Sequence, residues 1–265
     1  MILTAENYYS REANEKYLSM SQYKSFCGSL GKVPCEAEAM ALVNGEWEEE
    51  TSTSMMVGSY VDAHFEGSLN IFTAQHPEVF KKDGTLKADY RKAEDIINRI
   101  ERDEYFMKFM SGQKQVIMTG IIGGAEWKIK IDSYLPGICI TDLKVMKSIR
   151  DTFWVRDVGY MDFVQYWGYD LQGAVYQEIV RQNTGMVLPF FIAAVSKENE
   201  PDIEIIQIDN AHLTEKLVEI ETNVPKILAL KSGEYEPLRC DRCDYCKHTK
   251  VLKAPIHFSE LMTEV

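Results

Sequence analysis

Two groups of side chains have the types and spacing for chemistry. The first is Asp142-Leu143-Lys144, set in the apolar, β-branched run ICITDLKV, with Asp132 ten residues earlier across a Pro136-Gly137 turn. A carboxylate and an ammonium at i, i+2 of a strand share a face. Burying either charge costs several kcal/mol unless it is paired or bound to metal. The pattern therefore reads as a metal-holding acid set with a lysine beside it, or as a structural ion pair. The second group is Cys240, Cys243 and Cys246 in CDRCDYC. Thiols at this spacing compete for a metal. With three of the 6 cysteines crowded here, a disulfide scaffold is excluded. Cys139, inside a strand-like run, reads as a small buried hydrophobe.

The elements that must position these groups follow from the pattern of apolar residues. In 125–132, Trp127, Ile129 and Ile131 point one way, and Glu126, Lys128, Lys130 and Asp132 the other. After the turn, Ile138, Ile140, Asp142 and Lys144 share a face. Residues 115–147 are thus expected to form a three-strand meander that gathers two carboxylates and an ammonium at the end of a sheet. Upstream, Ser19 or Ser21 caps a short helix, and Pro34 opens another through CEAEAMALVNG that Gly45 closes. GEWEEETSTS reads as surface loop. SMMVGSYVDAHFEGSL reads as a helix with Val57, Val61 and Phe65 on one face and His64 beside them, and 87–110 as a single helix buried through Ile96, Ile97, Ile100 and Phe109. Downstream, the spacing predicts one helix over 161–182 with Val164, Trp167, Leu171, Ala174, Val175 and Ile179 facing the core. Gln165, Tyr169, Gln172 and Tyr176 form a second stripe on it, either half-exposed surface or the lining of a cleft. Strands in MVLPFFIAAVS and DIEIIQID and an amphipathic helix over 211–230 complete an α/β fold with a mixed central β-sheet flanked by helices. One domain over 1–265 is expected: a helical lead-in (1–53), a core (54–230) and a cysteine-containing segment (231–265).

The chain is 45% apolar and 26% charged, the balance of an ordinary globular protein. It carries no apolar run long enough to span a bilayer and no signal-peptide pattern, so a cytoplasmic protein with no membrane partner is expected. A net charge of −12 argues against broad, nonspecific nucleic-acid binding. It leaves room for a local site. Between Glu126 and Arg150 five basic residues (Lys128, Lys130, Lys144, Lys147, Arg150) face three acidic ones. With the two aspartates on a metal this stretch becomes a cationic island, and Lys128, Lys130, Lys147 and Arg150 are its expected DNA contacts.

The order Asp132, turn, Asp142-Leu143-Lys144, then Gln172-x-x-x-Tyr176 on a helix resembles the PD-(D/E)xK nuclease superfamily, whose core is that of restriction endonucleases. His64 is similar to the histidine of the branch related to RecB-type nuclease domains. LTAENYYSREANEKYLSMSQYKSF and RCDRCDYC resemble more closely the phage and prophage exodeoxyribonuclease VIII (RecE-like) group. The resemblance spans nearly the whole chain and departs where Ile131-Asp132 replaces the Pro-Asp of the superfamily name, a position that varies. It implies Mg²⁺ or Mn²⁺ on Asp132, Asp142, the Leu143 backbone carbonyl and His64. Lys144 is then expected to position the attacking water or stabilise developing charge, and Gln172 and Tyr176 to orient the DNA strand or the water. The implied reaction is 5′-to-3′ exonuclease digestion of linear duplex DNA in phage-type recombination, by a ring-shaped homo-oligomer beside a strand-annealing recombinase. The resemblance also implies an iron–sulfur cluster on Cys240, Cys243 and Cys246, with Cys35 as fourth ligand and Cys27 as second choice. The alternatives are zinc completed by His248 and no bound metal at all. Two further readings stay open: a non-catalytic nucleic-acid-binding protein of the same fold, and a metal-dependent hydrolase of a small phosphorylated substrate.

Overall fold

The computed structural model describes residues 1–259. Its first helices are α1 (Arg11–Lys16), α2 (Met20–Cys27) and α3 (Glu36–Asn44). The Ser19 side chain caps α2 by accepting the Gln22 amide, and Gly45 closes α3 in the left-handed conformation, as the sequence signals predict. Then come α4 (Thr53–Glu66), α5 (Leu69–Gln75), α6 (Arg91–Glu101) and α7 (Glu104–Phe109). The single helix expected over 87–110 is two, because Asp103 leaves helical geometry to accept the Phe106 amide and cap α7. The apolar period runs through this break and hides it.

Residues 115–147 hold four strands rather than three: β1 (Val116–Ile122), β2 (Ala125–Ile131), β3 (Ser133–Leu135) and β4 (Cys139–Met146). β1 and β2 form an antiparallel hairpin of their own. At Asp132 the chain bends out of it, and β3 enters a different sheet. A small hairpin, β5 (Phe153–Val155) with β6 (Gly159–Met161), precedes α8 (Phe163–Tyr166) and α9 (Tyr169–Thr184). The one helix expected over 161–182 breaks at Gly168, whose φ of +63° interrupts the right-handed helix. β7 (Phe190–Ser196), β8 (Ile203–Ile208), α10 (Asn210–Lys231) and α11 (Asp244–His248) complete the chain.

The main sheet has the order β3-β4-β7-β8, with β4 and β7 parallel and the outer pairs antiparallel. Strand alternation sends its residues into two helical layers. Ile140, Phe190, Ile192 and Ala194 pack with Leu171, Val175 and Ile179 of α9 and Ile220 and Val224 of α10. Leu143, Ala193 and Val195, on the other face, pack with Val57 and Val61 of α4 and Ile96 and Ile100 of α6. Leu18, Tyr23 and Phe26 enter the first cluster almost fully buried, each worth roughly 1.5–3 kcal/mol. The N-terminal helices are therefore part of the core, and that brings α2 up to the site.

Candidate active site and cysteine cluster

β3 is too short to cover β4. It pairs only Leu135 with Cys139, Tyr134 with Ile140 and Ser133 with Thr141, so β4 has no strand on its outer edge from Asp142 onward. Asp132, at the bend before β3, fills part of that edge: its Oδ2 accepts the Leu143 amide at 2.9 Å. The N–H and C=O of one strand residue point to the same side, so the Leu143 carbonyl faces the same opening. Asp142 is 3% exposed and projects toward α9, where Gln172 Nε2 donates to its Oδ1 at 2.6 Å. Lys144, on the same face, forms an ion pair with Asp142 Oδ2. That oxygen is buried and lacks a directed hydrogen bond, so the contact is charge on charge. From the other face of the sheet, α4 brings Asp62 and Glu66, one turn apart, into a small cavity lined also by Asp132, Gln115 and Leu143.

This crowding of acids has electrostatic consequences. Burial, and next the charge of Asp142, push the Asp132 carboxyl up to about 7 against the pull of Lys144 and the Leu143 amide. Burial and then Asp132 raise Asp62 well above the usual carboxylate range. Burial disfavours the Lys144 ammonium, but Asp142, Tyr169 and Asp132 outweigh it and hold its pKa above that of an ordinary lysine. Lys144 is therefore held as a cation at neutral pH. Lys144, with Lys24 near Asp142 and Lys114 near Asp132 and Glu66, leaves the Asp62 and Asp132 carboxyls still raised. A hard divalent cation, which takes oxygen ligands, would relieve both the surplus charge and the undonated Asp142 oxygen. The candidate donors are Asp62, Glu66 and Asp132, which line the cavity with Leu143, and Asp142, which projects toward α9; their oxygens are not drawn together as the four thiols are. Beside them, the Tyr169 ring lies 5.0 Å from the ammonium of Lys144 and 5.0 Å from that of Lys24. Lys24 donates to the Trp167 carbonyl at 2.8 Å, and burial, with Lys144 nearby, brings it down to about 7.

An acid at a strand bend, Asp-x-Lys on the next strand and a Gln from the packed helix thus meet in space as well as in order. The model of the family described as a PDDEXK-like domain of unknown function (DUF3799) matches residues 19–249. The chain belongs to this PDDEXK-like family. A crystal structure of a protein from Eubacterium rectale, described as a "putative exonuclease", is 60% identical, covers 100% of both chains and superposes with a TM-score of 0.97. No curated protein matches the chain. The PD-(D/E)xK resemblance and the mixed sheet flanked by helices are both borne out.

Within this PDDEXK-like domain, Asp132, Asp142, Lys144 and Gln172 come together. Tyr176 lies one turn further along α9 and donates to the Lys130 carbonyl at 3.1 Å, fastening α9 to β2. His64 is not in the set. Two residues from Asp62 is about 200° around a helix, and its Nε2 meets Glu101 of α6 at 2.8 Å. Of the expected DNA contacts, Lys128 is a correction. It is 2% exposed and donates to Asn14 Oδ1 at 2.7 Å and to the Tyr8 carbonyl, because the N-terminal segment covers this face of β2. Lys130 sits 4.8 Å from the Tyr9 ring, and Arg150 is engaged by Glu204 at 2.9 Å and Asp202 at 3.9 Å. Lys147 has a side chain 92% exposed. Sequence reasoning missed Asp62, Glu66 and Lys24. The first two had a signal: acids at i, i+4 flanking the Val57-Val61-Phe65 stripe. Lys24 had none, since no local pattern shows that α2 crosses the end of the sheet.

The thiols of Cys35, Cys240, Cys243 and Cys246 all lie within 4.8 Å of one another, with Cys35 and Cys246 sulfurs 3.5 Å apart. Cys35 stands at the head of α3 and Cys243 at the head of α11. The amides of Arg242 and Cys243 donate to Cys240 Sγ at 3.5 and 3.2 Å. Burial opposes the Cys240 thiolate, but these amides and the neighbouring thiols outweigh it and bring the group down to about 7. The set can hold a metal with four sulfurs. His248 is outside it, packed on Trp47 with ring centres 5.3 Å apart. Cys27 is outside it too, while Cys139 is 2% exposed within β4.

Proposed function

We propose that the chain is a divalent-metal-dependent exonuclease acting on linear double-stranded DNA. The observation that carries this is Asp132, Asp142, Lys144 and Gln172 meeting at an uncovered strand edge with Asp62 and Glu66 opposite. The relative described as an exonuclease over the full length supports DNA as substrate rather than a small phosphorylated compound or mere binding. A divalent ion on these carboxylates and the Leu143 carbonyl would stabilise charge at a phosphodiester and lower the pKa of an attacking water. With His64 tied to Glu101, the donor set is all oxygen, which suits Mg²⁺ or Mn²⁺ and takes away the nitrogen that would have preferred Mn²⁺. Lys144 holds positive charge where the phosphate oxygens gain negative charge. Asp142 fixes that ammonium, and Gln172 fixes Asp142. Resemblance extends the reading to 5′-to-3′ polarity, recombination beside a strand-annealing partner and a ring-shaped oligomer.

For the cysteines the reading moves to zinc. A single tetrahedral ion with bonds of ~2.3 Å holds its sulfurs ~3.8 Å apart, whereas a four-iron cluster spreads its thiolates over four irons. Four thiols within 4.8 Å suit the single ion. Release of acid-soluble nucleotides from linear duplex, present with Mg²⁺ and absent with EDTA or in Asp142→Asn, tests the nuclease. Undiminished release by that variant would exclude this site.

A further inference from the structure

The hairpin of β5 and β6 enters none of the chemistry above, yet it is inserted between its two halves. It follows β4, which carries Asp142 and Lys144, and precedes α9, which carries Gln172. Alternation divides its side chains cleanly. Phe153 turns inward, stacked on Tyr166 with ring centres 4.1 Å apart and planes 11° apart, and meets the edge of Trp167 at 6.0 Å. Trp154 and Tyr160, paired across the strands, turn outward at 66% and 71% exposure with ring centres 5.1 Å apart. Val158 at the turn is 54% exposed. Through Trp167, Lys24 and Tyr169 the hairpin's root is continuous with Lys144.

A two-stranded hairpin is marginal by itself, and two large aromatic rings held outward add no core. An exposed aromatic pair on a rigid root beside a site is the form of a contact surface. Position rather than charge points to the occupant. Lys147, Arg150 and Arg156 are each met by an acid (Asp151; Asp202 and Glu204; Asp157), and it is the root's continuity with Lys24 and Lys144 that sets the rings beside the candidate phosphodiester site.

We propose that Trp154 and Tyr160 form a stacking platform for unpaired bases at a DNA end, holding one strand near the Asp142–Lys144 site. This rests on the nuclease reading. Base–aromatic stacking needs no particular sequence, because every base has a π-face, which suits a degradative enzyme.

The test uses the full chain in EDTA, so that binding is read without cleavage. Fluorescence anisotropy follows a labelled 12-mer of thymidine and an abasic oligomer of the same length and phosphate count. The wild type should bind the thymidine oligomer at least about tenfold more tightly than the abasic one, from the stacking of two rings. Trp154→Ala/Tyr160→Ala should lose that preference, and Trp154→Phe/Tyr160→Phe should keep it, which separates stacking from misfolding. Equal affinity of the wild type for both oligomers, or an alanine variant that retains the preference, overturns the proposal. So does an alanine variant with unchanged DNA affinity but an altered molecular mass by light scattering, which makes the pair a contact between chains. Mg²⁺-dependent cleavage with no base preference in binding sinks the platform alone. Absence of cleavage with a retained base preference sinks the nuclease and leaves the hairpin a binding surface.

Discussion

Replacing Asp132 by Asn should stabilise the metal-free protein while abolishing its activity. Asp132 titrates near 7 rather than at the 3.8 of free aspartate because it is buried among other acids. At full strength that difference is worth ~4 kcal/mol against the folded state, and relaxation around a partly accessible bend reduces it to about 2 kcal/mol. Asn is isosteric. Its carbonyl can still accept the Leu143 amide, and its NH₂ takes the place of Oδ1, which now accepts Gln115 Nε2 at 3.4 Å; a flip of the Gln115 amide turns its undonated Oε1 to that NH₂. In EDTA at pH 7.5 the variant should melt about 4–8 °C above wild type for a chain of this size. The pH dependence fixes the sign. A carboxyl raised in the fold binds its proton more tightly there than in the unfolded chain, so wild-type stability falls as pH rises from about 4 through about 7. The advantage of the variant should therefore be small at pH 4, about a third of its full size at pH 5 and fullest by pH 8. Mg²⁺ at a hundredfold excess over its Kd should then stabilise wild type by about 2.7 kcal/mol and leave the variant almost unmoved. Differential scanning fluorimetry across pH with EDTA or Mg²⁺ reads both effects. A variant that melts below wild type in EDTA at pH 7.5, or that keeps the full Mg²⁺ response, would refute the acid-crowding argument.

Lys128→Ala should act on stability rather than on DNA. It strips the buried donors from the Tyr8 carbonyl and Asn14 and should cost about 2–4 kcal/mol, while cleavage per folded molecule stays at the wild-type level. Lys144→Met should lower cleavage by ~10²–10³-fold, and Lys144→Arg should recover part of it. Equal loss in both variants would point to a proton-transfer role instead of a fixed charge. The purified protein should be colourless and hold about one zinc per chain by mass spectrometry, lost in Cys246→Ser together with thermal stability. A brown protein with iron and labile sulfide would show that the thiols spread to accept a cluster.

Much of this site is written locally. Asp142 and Lys144 could be read because a strand gives i and i+2 a common face, and charges inside a β-branched run are costly enough to need a reason. The capping signals at Ser19 and Gly45 are equally local, since one side-chain oxygen or one left-handed residue decides them. What failed was decided between elements. Lys128 has the alternation of a solvent-facing residue, and only the tertiary path of the Tyr8–Asn14 segment buries it. His64 and Asp62 are neighbours on one helix, and the packing of α4 against α6 and β4, rather than any residue preference, sends one to Glu101 and the other to Asp132. The breaks at Asp103 and Gly168 interrupt helices whose apolar period continues, so periodicity is blind to them.

The most direct test is to give the purified chain linear and covalently closed circular duplex DNA of one sequence, with Mg²⁺ and with EDTA, beside Asp142→Asn. The site described here predicts loss of the linear form alone, only with Mg²⁺ and only with Asp142 intact. Nicking of the circle would contradict an end-dependent exonuclease. Degradation that survives EDTA or the Asp142 substitution would contradict the metal-dependent site itself.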